Sequence, residues 1–212
     1  MTSRTRTRTV FSLFIIESLR FVDEKKLWFE GKLLSDILRM SRQIEVEYLY
    51  IRTRKELAVA LKRFHDSKKR YLHISCHGSP TELGLTLDDV PFDEFADELA
   101  PYMDKSQRLF FSACSVVNRS LANAVMQGSG CHSIIGPKED ISFGDAALMW
   151  ASFYHLMFRD KSKSKMTSKR IASALRRVHY AFRREFVYFT RADNQRCWDE
   201  IDVNRKGSQR RS

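Results

Sequence analysis

The chain has 212 residues, of which 43% are hydrophobic and 12% aromatic. That is enough apolar material for one domain with a sizeable core, and too much for an intrinsically disordered protein. The 37 basic and 26 acidic residues give a net charge of +11, which invites a nucleic-acid or membrane-surface interpretation. No run approaches the roughly 20 apolar residues that cross a bilayer, so we expect no membrane span.

The charge is unevenly distributed along the chain. Basic residues are concentrated in three segments, 1–9, 159–191 and 205–212. Segment 159–191 contains 11 basic residues and two acidic ones. Residues 80–104 instead contain eight acidic residues and no lysine or arginine. We interpret 1–9 as a basic N-terminal tail and 192–212 as a C-terminal tail with a disordered end. Because the charge is polarised, nucleic-acid binding stays open as an alternative but is not favoured.

The start of the chain imitates a secretory signal, with basic residues before an apolar run. The run Val10–Ile16 is short, is followed by Glu17 and Arg20, and lacks a small-residue cleavage site. We therefore predict a strand there. The four cysteines are widely spaced without a CxxC pair, which favours neither a disulfide framework nor a zinc ribbon. A reducing cytoplasm is the expected compartment.

Apolar periodicity predicts strands that alternate with helices. In chain order these are a strand Val10–Ile16, helix Trp28–Arg42, strand Ile44–Ile51, helix Lys55–His65, strand Tyr71–Ser75, short hairpin strand Leu83–Leu87, acidic helix Phe92–Met103, strand Arg108–Ala113, helix Ser120–Gln127, strand His132–Gly136, helix Asp145–Phe158, basic helix Thr167–Phe186 and strand Val187–Thr190. Short connections between alternating elements favour a mainly parallel sheet of about six strands with helices on both faces. The sequence thus predicts one three-layer α/β/α domain over residues 10–191.

Two predicted strands end in residues that are capable of chemistry. Tyr71–Ser75 leads into His77 and Gly78, and Arg108–Ala113 leads into Cys114. Because carboxyl ends of parallel strands lie at one sheet edge, an imidazole and a thiol can meet there. A neighbouring base raises the reactive fraction of a cysteine. The Gly78 and Cys114 N–H groups are candidate donors to an oxyanion.

The segments HISCHGS and LFFSACS, together with SLANAV, GSGCHSIIGP and ISFGDAALMWASFYHLMF, resemble the caspase-like cysteine peptidases of clan CD, particularly the bacterial CHAT domains. The resemblance covers about residues 10–158. It implies a caspase-like sandwich, His77 as the general base, Cys114 as the nucleophile and Gly78 as an oxyanion donor. The surroundings of Cys114 read Ser112-Ala113-Cys114-Ser115-Val116 and depart from the animal caspase signature, so cleavage after aspartate is not implied.

In such peptidases an acidic pocket residue selects lysine or arginine. Glu17 at the end of the first strand, Asp145 in the helix after the fifth, and Ser115 in the post-cysteine region are the candidate substrate-binding residues. For Glu17 and Asp145 the alternative is a helix-cap or surface position. The acidic stretch 80–104 would also draw a basic peptide toward the cleft. We therefore expect a cysteine endopeptidase that cleaves a protein substrate after a basic residue. The resemblance further implies an activating protein partner and a bacterial cell-death or antiviral defence module.

Several alternatives remain at this point. A catalytically inactive CHAT-like interaction module, docking through the arginine-rich face of Thr167–Phe186, is the main one. Cys76, Cys131 and His132 could join Cys114 in a metal site, but their spacing lacks the regularity of zinc sites. We predict no metal and no cofactor. His73 shares a strand face with His77 and is interpreted as a core histidine.

Overall fold

The computed structural model describes residues 11–41, 44–159, 165–192 and 197–204. The predicted tail 1–9 and the charged end 205–212 lie outside these described residues. No helix in the described ranges is long and apolar enough to cross a membrane.

The centre of the molecule is a seven-stranded sheet. Its strands are β1 (Phe11–Glu17), β2 (Ile44–Tyr50), β3 (Tyr71–Ser75), β7 (Arg108–Ser112), β8 (Ser133–Pro137), β9 (Phe186–Arg191) and β10 (Trp198–Glu200). They lie side by side in the order β2-β1-β3-β7-β8-β9-β10. The first five pair in parallel, whereas β9 and β10 run antiparallel at one edge. The predicted mainly parallel sheet is confirmed, with one more strand than expected.

The helices described are α1 (Phe21–Lys25), α2 (Glu30–Arg39), α3 (Arg54–Asp66), α4 (Phe92–Leu99), α5 (Arg119–Gly128), α6 (Phe143–Phe158) and α7 (Ser168–Phe182). The buried apolar residues form two clusters, one on each face of the sheet. One cluster includes residues of α3, α4 and α5, and the other includes residues of α2, α6 and α7. The three-layer α/β/α sandwich predicted from the sequence is therefore confirmed.

A second, three-stranded antiparallel sheet stands beside the main one. It consists of β4 (His77–Gly78), β5 (Glu82–Gly84) and β6 (Asp89–Pro91). The sequence indicated only a short hairpin strand in this region. Because β4 follows β3 after a single residue, this small sheet fixes the direction in which the chain leaves the main sheet.

Several predicted boundaries shift for local reasons. The acidic helix α4 ends at Leu99 and passes into a 3-10 turn over Ala100–Tyr102, which contains Pro101, and proline supplies no backbone N–H. The basic helix α7 stops at Phe182, because Arg183 adopts a left-handed conformation with φ 53°. The seventh strand, Trp198–Glu200, comes from the segment interpreted as a C-terminal tail, and Val203 beyond it is fully buried.

Candidate active site

The register of the sheet aligns the two candidate catalytic segments. In the β3–β7 pair Ser75 lies opposite Ser112, and the Cys76 N–H donates to the Ser112 carbonyl at 3.3 Å. His77 and Cys114 each follow two residues after this aligned serine pair. The sheet therefore delivers both residues to the same edge, as the sequence predicted for neighbouring parallel strands.

Gly78 lies against the chain around Cys114. A β-carbon at this position would approach Val116 Cγ2 to 2.1 Å, the Glu82 carbonyl oxygen to 3.1 Å and the Cys114 carbonyl oxygen to 3.7 Å. Any side chain at Gly78 would thus collide with the segment that follows the cysteine. The close backbone approach places the predicted oxyanion donor beside the predicted nucleophile.

His77 has a carboxylate partner that the sequence did not reveal. Its Nε2 lies 2.8 Å from Asp23 Oδ2, and Asp23 is buried whereas the His77 side chain is partly exposed. The ring also packs edge-on against Phe143, with 5.6 Å between centroids. Asp23 belongs to α1, a five-residue helix without a side-chain cap, which has no helical periodicity long enough to detect.

The Asp23 contact fixes the chemistry of the imidazole. A carboxylate accepts a hydrogen bond, so the neutral ring carries its proton on Nε2 and donates it to Asp23. The lone pair then lies on Nδ1, which is the basic nitrogen of the ring. The Asp23 carboxylate thus orients the His77 ring and leaves Nδ1 as the nitrogen that can accept a proton.

Cys114 is half-buried at the end of β7. Its Sγ makes a long hydrogen bond of 3.9 Å to the Ile141 carbonyl. Burial raises the pKa of the thiol above its ordinary value, and the charge of Asp140 adds to this effect. Cys114 is accordingly a neutral thiol near pH 7 and needs a base to become a nucleophile.

The turn after Cys114 is held in an uncommon conformation. Ser115 has φ 56°, in the left-handed region, which a residue with a side chain adopts only where surrounding contacts impose it. The Asn118 amide donates to the carbonyls of Ser115 at 3.1 Å and Pro80 at 2.9 Å, while its oxygen caps α5. This one side chain thus ties the cysteine turn to the loop that follows His77.

The predicted substrate-binding residues lie in different surroundings. Ser115 is next to the cysteine, and its hydroxyl donates to Asp140 Oδ1 at 3.1 Å. Asp145 pairs with Arg184 at 3.1 Å. Glu17 is fully buried and accepts hydrogen bonds from the backbone of Gly31 and Lys32 and from the Tyr48 hydroxyl, at 2.7–3.1 Å.

Glu17 and the exposed carboxylate beside Cys114 have different surroundings. Glu17 anchors the first turn of α2, where a carboxylate complements the partial positive charge of a helix N-terminus. Burial, the largest influence, raises the pKa of Glu17. The exposed carboxylate that borders Cys114 is instead Asp140, in the loop after β8. Sequence reasoning missed it because nothing in loop composition shows which residue turns toward a site.

A buried carboxyl group lies under the candidate site. Glu30, at the start of α2, is 3% exposed and accepts a hydrogen bond from the Ser75 hydroxyl. Burial, assisted by the nearby charge of Glu17, raises the pKa of Glu30 to about 8, although the interactions with Ser75 and Ser112 lower it. The protonated carboxyl group therefore lies against the two serines that end β3 and β7, two residues before His77 and Cys114.

The described residues contain no group of three or more histidine, cysteine, aspartate or glutamate side chains arranged to hold a metal ion. His73, which the sequence placed in the core, is fully buried, and its Nδ1 lies 3.0 Å from the Tyr154 hydroxyl. Burial lowers the pKa of His73 to about 3. Its ring is consequently neutral.

No protein-family model matches the chain, and the curated proteins contain no match either. Among solved structures, the secreted C11 cysteine protease iotapain from Bacteroides thetaiotaomicron has a TM-score of 0.60 at 10% identity, over 86% of this chain and 66% of that one. The Arg-specific cysteine proteinase gingipain R has a TM-score of 0.55 at 12% identity, over 82% of this chain and 43% of that one. The chain has a caspase-like fold. It spans just under two thirds of the first structure and less than half of the second, and identities this low show the fold alone.

Proposed function

We propose that the chain is a caspase-like cysteine endopeptidase with Cys114 as the nucleophile and His77 as the general acid and base. The observation that carries the proposal is the Asp23–His77 contact at the end of the sheet where Cys114 follows β7. A buried carboxylate that accepts a hydrogen bond from one ring nitrogen leaves the other nitrogen free to act as a base. The caspase-like fold shared with two cysteine proteases supports the same reaction class.

The reaction proceeds through an acyl-enzyme. His77 Nδ1 takes the Cys114 thiol proton as Sγ attacks the scissile carbonyl carbon, and the carbonyl oxygen becomes an oxyanion. The Gly78 and Cys114 N–H groups are the proposed donors to that oxygen. The protonated imidazole then gives its proton to the leaving amine. Water, deprotonated by the same nitrogen, hydrolyses the thioester and restores the thiol.

The charges near Cys114 favour a substrate that is basic at the cleavage site. Asp140 is exposed, lies close enough to influence the thiol, and is held by the Ser115 hydroxyl at 3.1 Å. A lysine or arginine side chain would form a charge-assisted hydrogen bond with such a carboxylate. The basic preference first attached to Glu17 and Asp145 is accordingly proposed for Asp140. A CHAT-type relationship, an activating partner and a defence role remain proposals from the sequence resemblance.

Labelling with an electrophilic peptide probe tests this proposal. An acyloxymethyl ketone with arginine next to the electrophile should label the wild type, and labelling should vanish in Cys114→Ala. Cys197→Ala is the matched control, because Cys197 is exposed and lies outside the candidate site, so its loss should leave labelling intact. His77→Ala should slow labelling strongly while circular dichroism shows a folded protein.

Two outcomes would count against the peptidase. Labelling that persists in Cys114→Ala would refute the assignment of the nucleophile. A folded wild type that stays unlabelled by arginine, lysine, aspartate and leucine probes would instead favour the inactive interaction module.

A further inference from the structure

The edge of the sheet opposite the candidate active site contains a basic cavity. Strands β3 and β7 begin there at Tyr71 and Arg108, and both residues line a cavity of about 240 Å³. Sites that enclose drug-sized ligands start at about 300 Å³, so this cavity suits a smaller group. Its other lining residues include Arg70, Lys105 and Lys165.

Arg108 is the unusual member of this cavity. It is 8% exposed, and its Nη1 donates to the Ser133 hydroxyl at 2.8 Å. Within the described ranges no carboxylate pairs with its guanidinium group. A buried arginine is always charged, and a buried charge is costly unless an opposite charge compensates it. The structure thus contains a buried cation that lacks a described counter-charge and borders an open cavity.

The remaining charges around the cavity have the same sign. Arg70, Lys105 and Lys165 join Arg108, and no acidic side chain among the described residues lines the cavity. Asp104 lies nearby, but its Oδ1 accepts the Ser106 backbone N–H and hydroxyl, both at 2.7 Å. These hydrogen bonds, with smaller contributions from the charges of His65 and Arg70, lower the pKa of Asp104.

A helix start adds to the positive potential. The fifteen-residue helix α7 begins just beyond Thr167, which lines the cavity and caps the helix through its hydroxyl. The first N–H groups of a helix carry partial positive charge and favour anions. This contribution strengthens a site that the buried Arg108 already indicates.

We propose that this cavity binds the phosphate group of a small anion. A phosphate carries close to two negative charges near neutrality and several acceptor oxygens, which matches several converging cations better than a single carboxylate does. The planar fork of an arginine binds such a group through two parallel hydrogen bonds. The site is separate from Cys114 and His77, so it stands whether or not the chain is a peptidase.

Calorimetric titration at constant ionic strength tests the proposal, with inorganic phosphate and AMP as separate probes. Wild type should bind phosphate saturably at one site, and Arg70→Ala/Lys105→Ala should weaken binding at least tenfold. The matched control is Arg39→Ala/Lys55→Ala, which removes one exposed arginine and one exposed lysine elsewhere and should leave the affinity unchanged. Tighter binding of AMP would identify a phosphomonoester as the ligand, and binding of phosphate alone would identify the free ion.

Arg108→Met provides a second variant that removes the buried charge at similar volume. It should abolish phosphate binding and, without phosphate, should unfold at no lower urea concentration than wild type. If it does not fold, the surface pair Arg70→Ala/Lys105→Ala decides alone. The proposal is overturned if wild type binds neither probe saturably, or if both charge-matched pairs weaken binding equally.

Discussion

We expect Glu30 to make the free energy of unfolding depend on pH, and we expect the substitution Glu30→Gln to remove that dependence. Its pKa is raised to about 8 in the folded chain by burial, against an ordinary value of 4.5. Between these values the unfolded chain has released a proton that the folded chain retains. The stabilising contribution is therefore complete below about pH 4.5 and is lost as the pH rises toward 8.

The size of the effect follows from one proton. Each pH unit between the two pKa values costs about 1.4 kcal/mol of unfolding free energy, so the interval from pH 5.5 to 7.5 costs about 2.7 kcal/mol. Glu30→Gln removes the titration and keeps an oxygen that accepts from Ser75 and an amide that can donate to Ser112. Relative to wild type, the variant should thus gain about 2.7 kcal/mol across this interval.

Urea unfolding at pH 5.5, 6.5 and 7.5, followed by tryptophan fluorescence, measures this difference. Subtracting the unfolding free energy of the variant from that of wild type cancels the contributions of other titrating groups. These include His73, because burial lowers its pKa to about 3 in both proteins. Glu17 is also little affected, because Glu30 is mostly protonated in wild type over this interval and glutamine is uncharged in the variant. Glu45→Gln, at an exposed position, is the control and should show a flat difference. If the difference in unfolding free energy between wild type and Glu30→Gln is also independent of pH, Glu30 is not protonated in the folded chain.

Four further outcomes test the site. Asp23→Asn should lower kcat by about 10²–10⁴ with KM little changed, because an amide no longer imposes the Nε2-protonated ring; equal kcat values would remove Asp23 from the mechanism. Asp140→Asn should lower kcat/KM for arginine substrates by about tenfold and leave a leucine substrate unaffected, and an equal loss for both would contradict a specificity role. Gly78→Ala should destabilise the fold by about 1–3 kcal/mol, and adding Val116→Ala should recover part of that loss in a double-mutant cycle, since Val116 Cγ2 is the colliding atom. In the Cys197→Ala background, the rate of Cys114 alkylation by iodoacetamide should reach half its maximum at a pH above the free-thiol pKa of about 8.5, because burial and then the Asp140 charge raise the pKa of this thiol. A midpoint below about pH 7 would contradict this, since it would show that Cys114 is already a thiolate near neutral pH.

The sequence predicted the layers and the main strands because both depend on apolar periodicity. It also placed His77 and Cys114 at one edge, since parallel strands share a direction. It did not find Asp23, because a five-residue uncapped helix is stabilised by tertiary contacts rather than by its own pattern. Glu30 escaped notice for a related reason: glutamate is almost always exposed, and only the packing of α2 against the serines of β3 and β7 buries it.

Most of the charged residues that lie at the two proposed sites are not the ones that the charge distribution along the chain indicates. Several acidic residues of the stretch 80–104 stabilise the fold. Glu94 and Glu98 form ion pairs with Arg54, and Asp88 accepts a hydrogen bond from the Arg54 backbone N–H. The carboxylate left beside the candidate nucleophile comes from elsewhere, at Asp140. At the opposite edge, cations from the turns that precede β3 and β7 converge on buried Arg108. Acidic and basic groups thus occupy the two ends of the same pair of strands, so the basic substrate and the phosphate-bearing anion that we propose would approach from opposite ends of these strands.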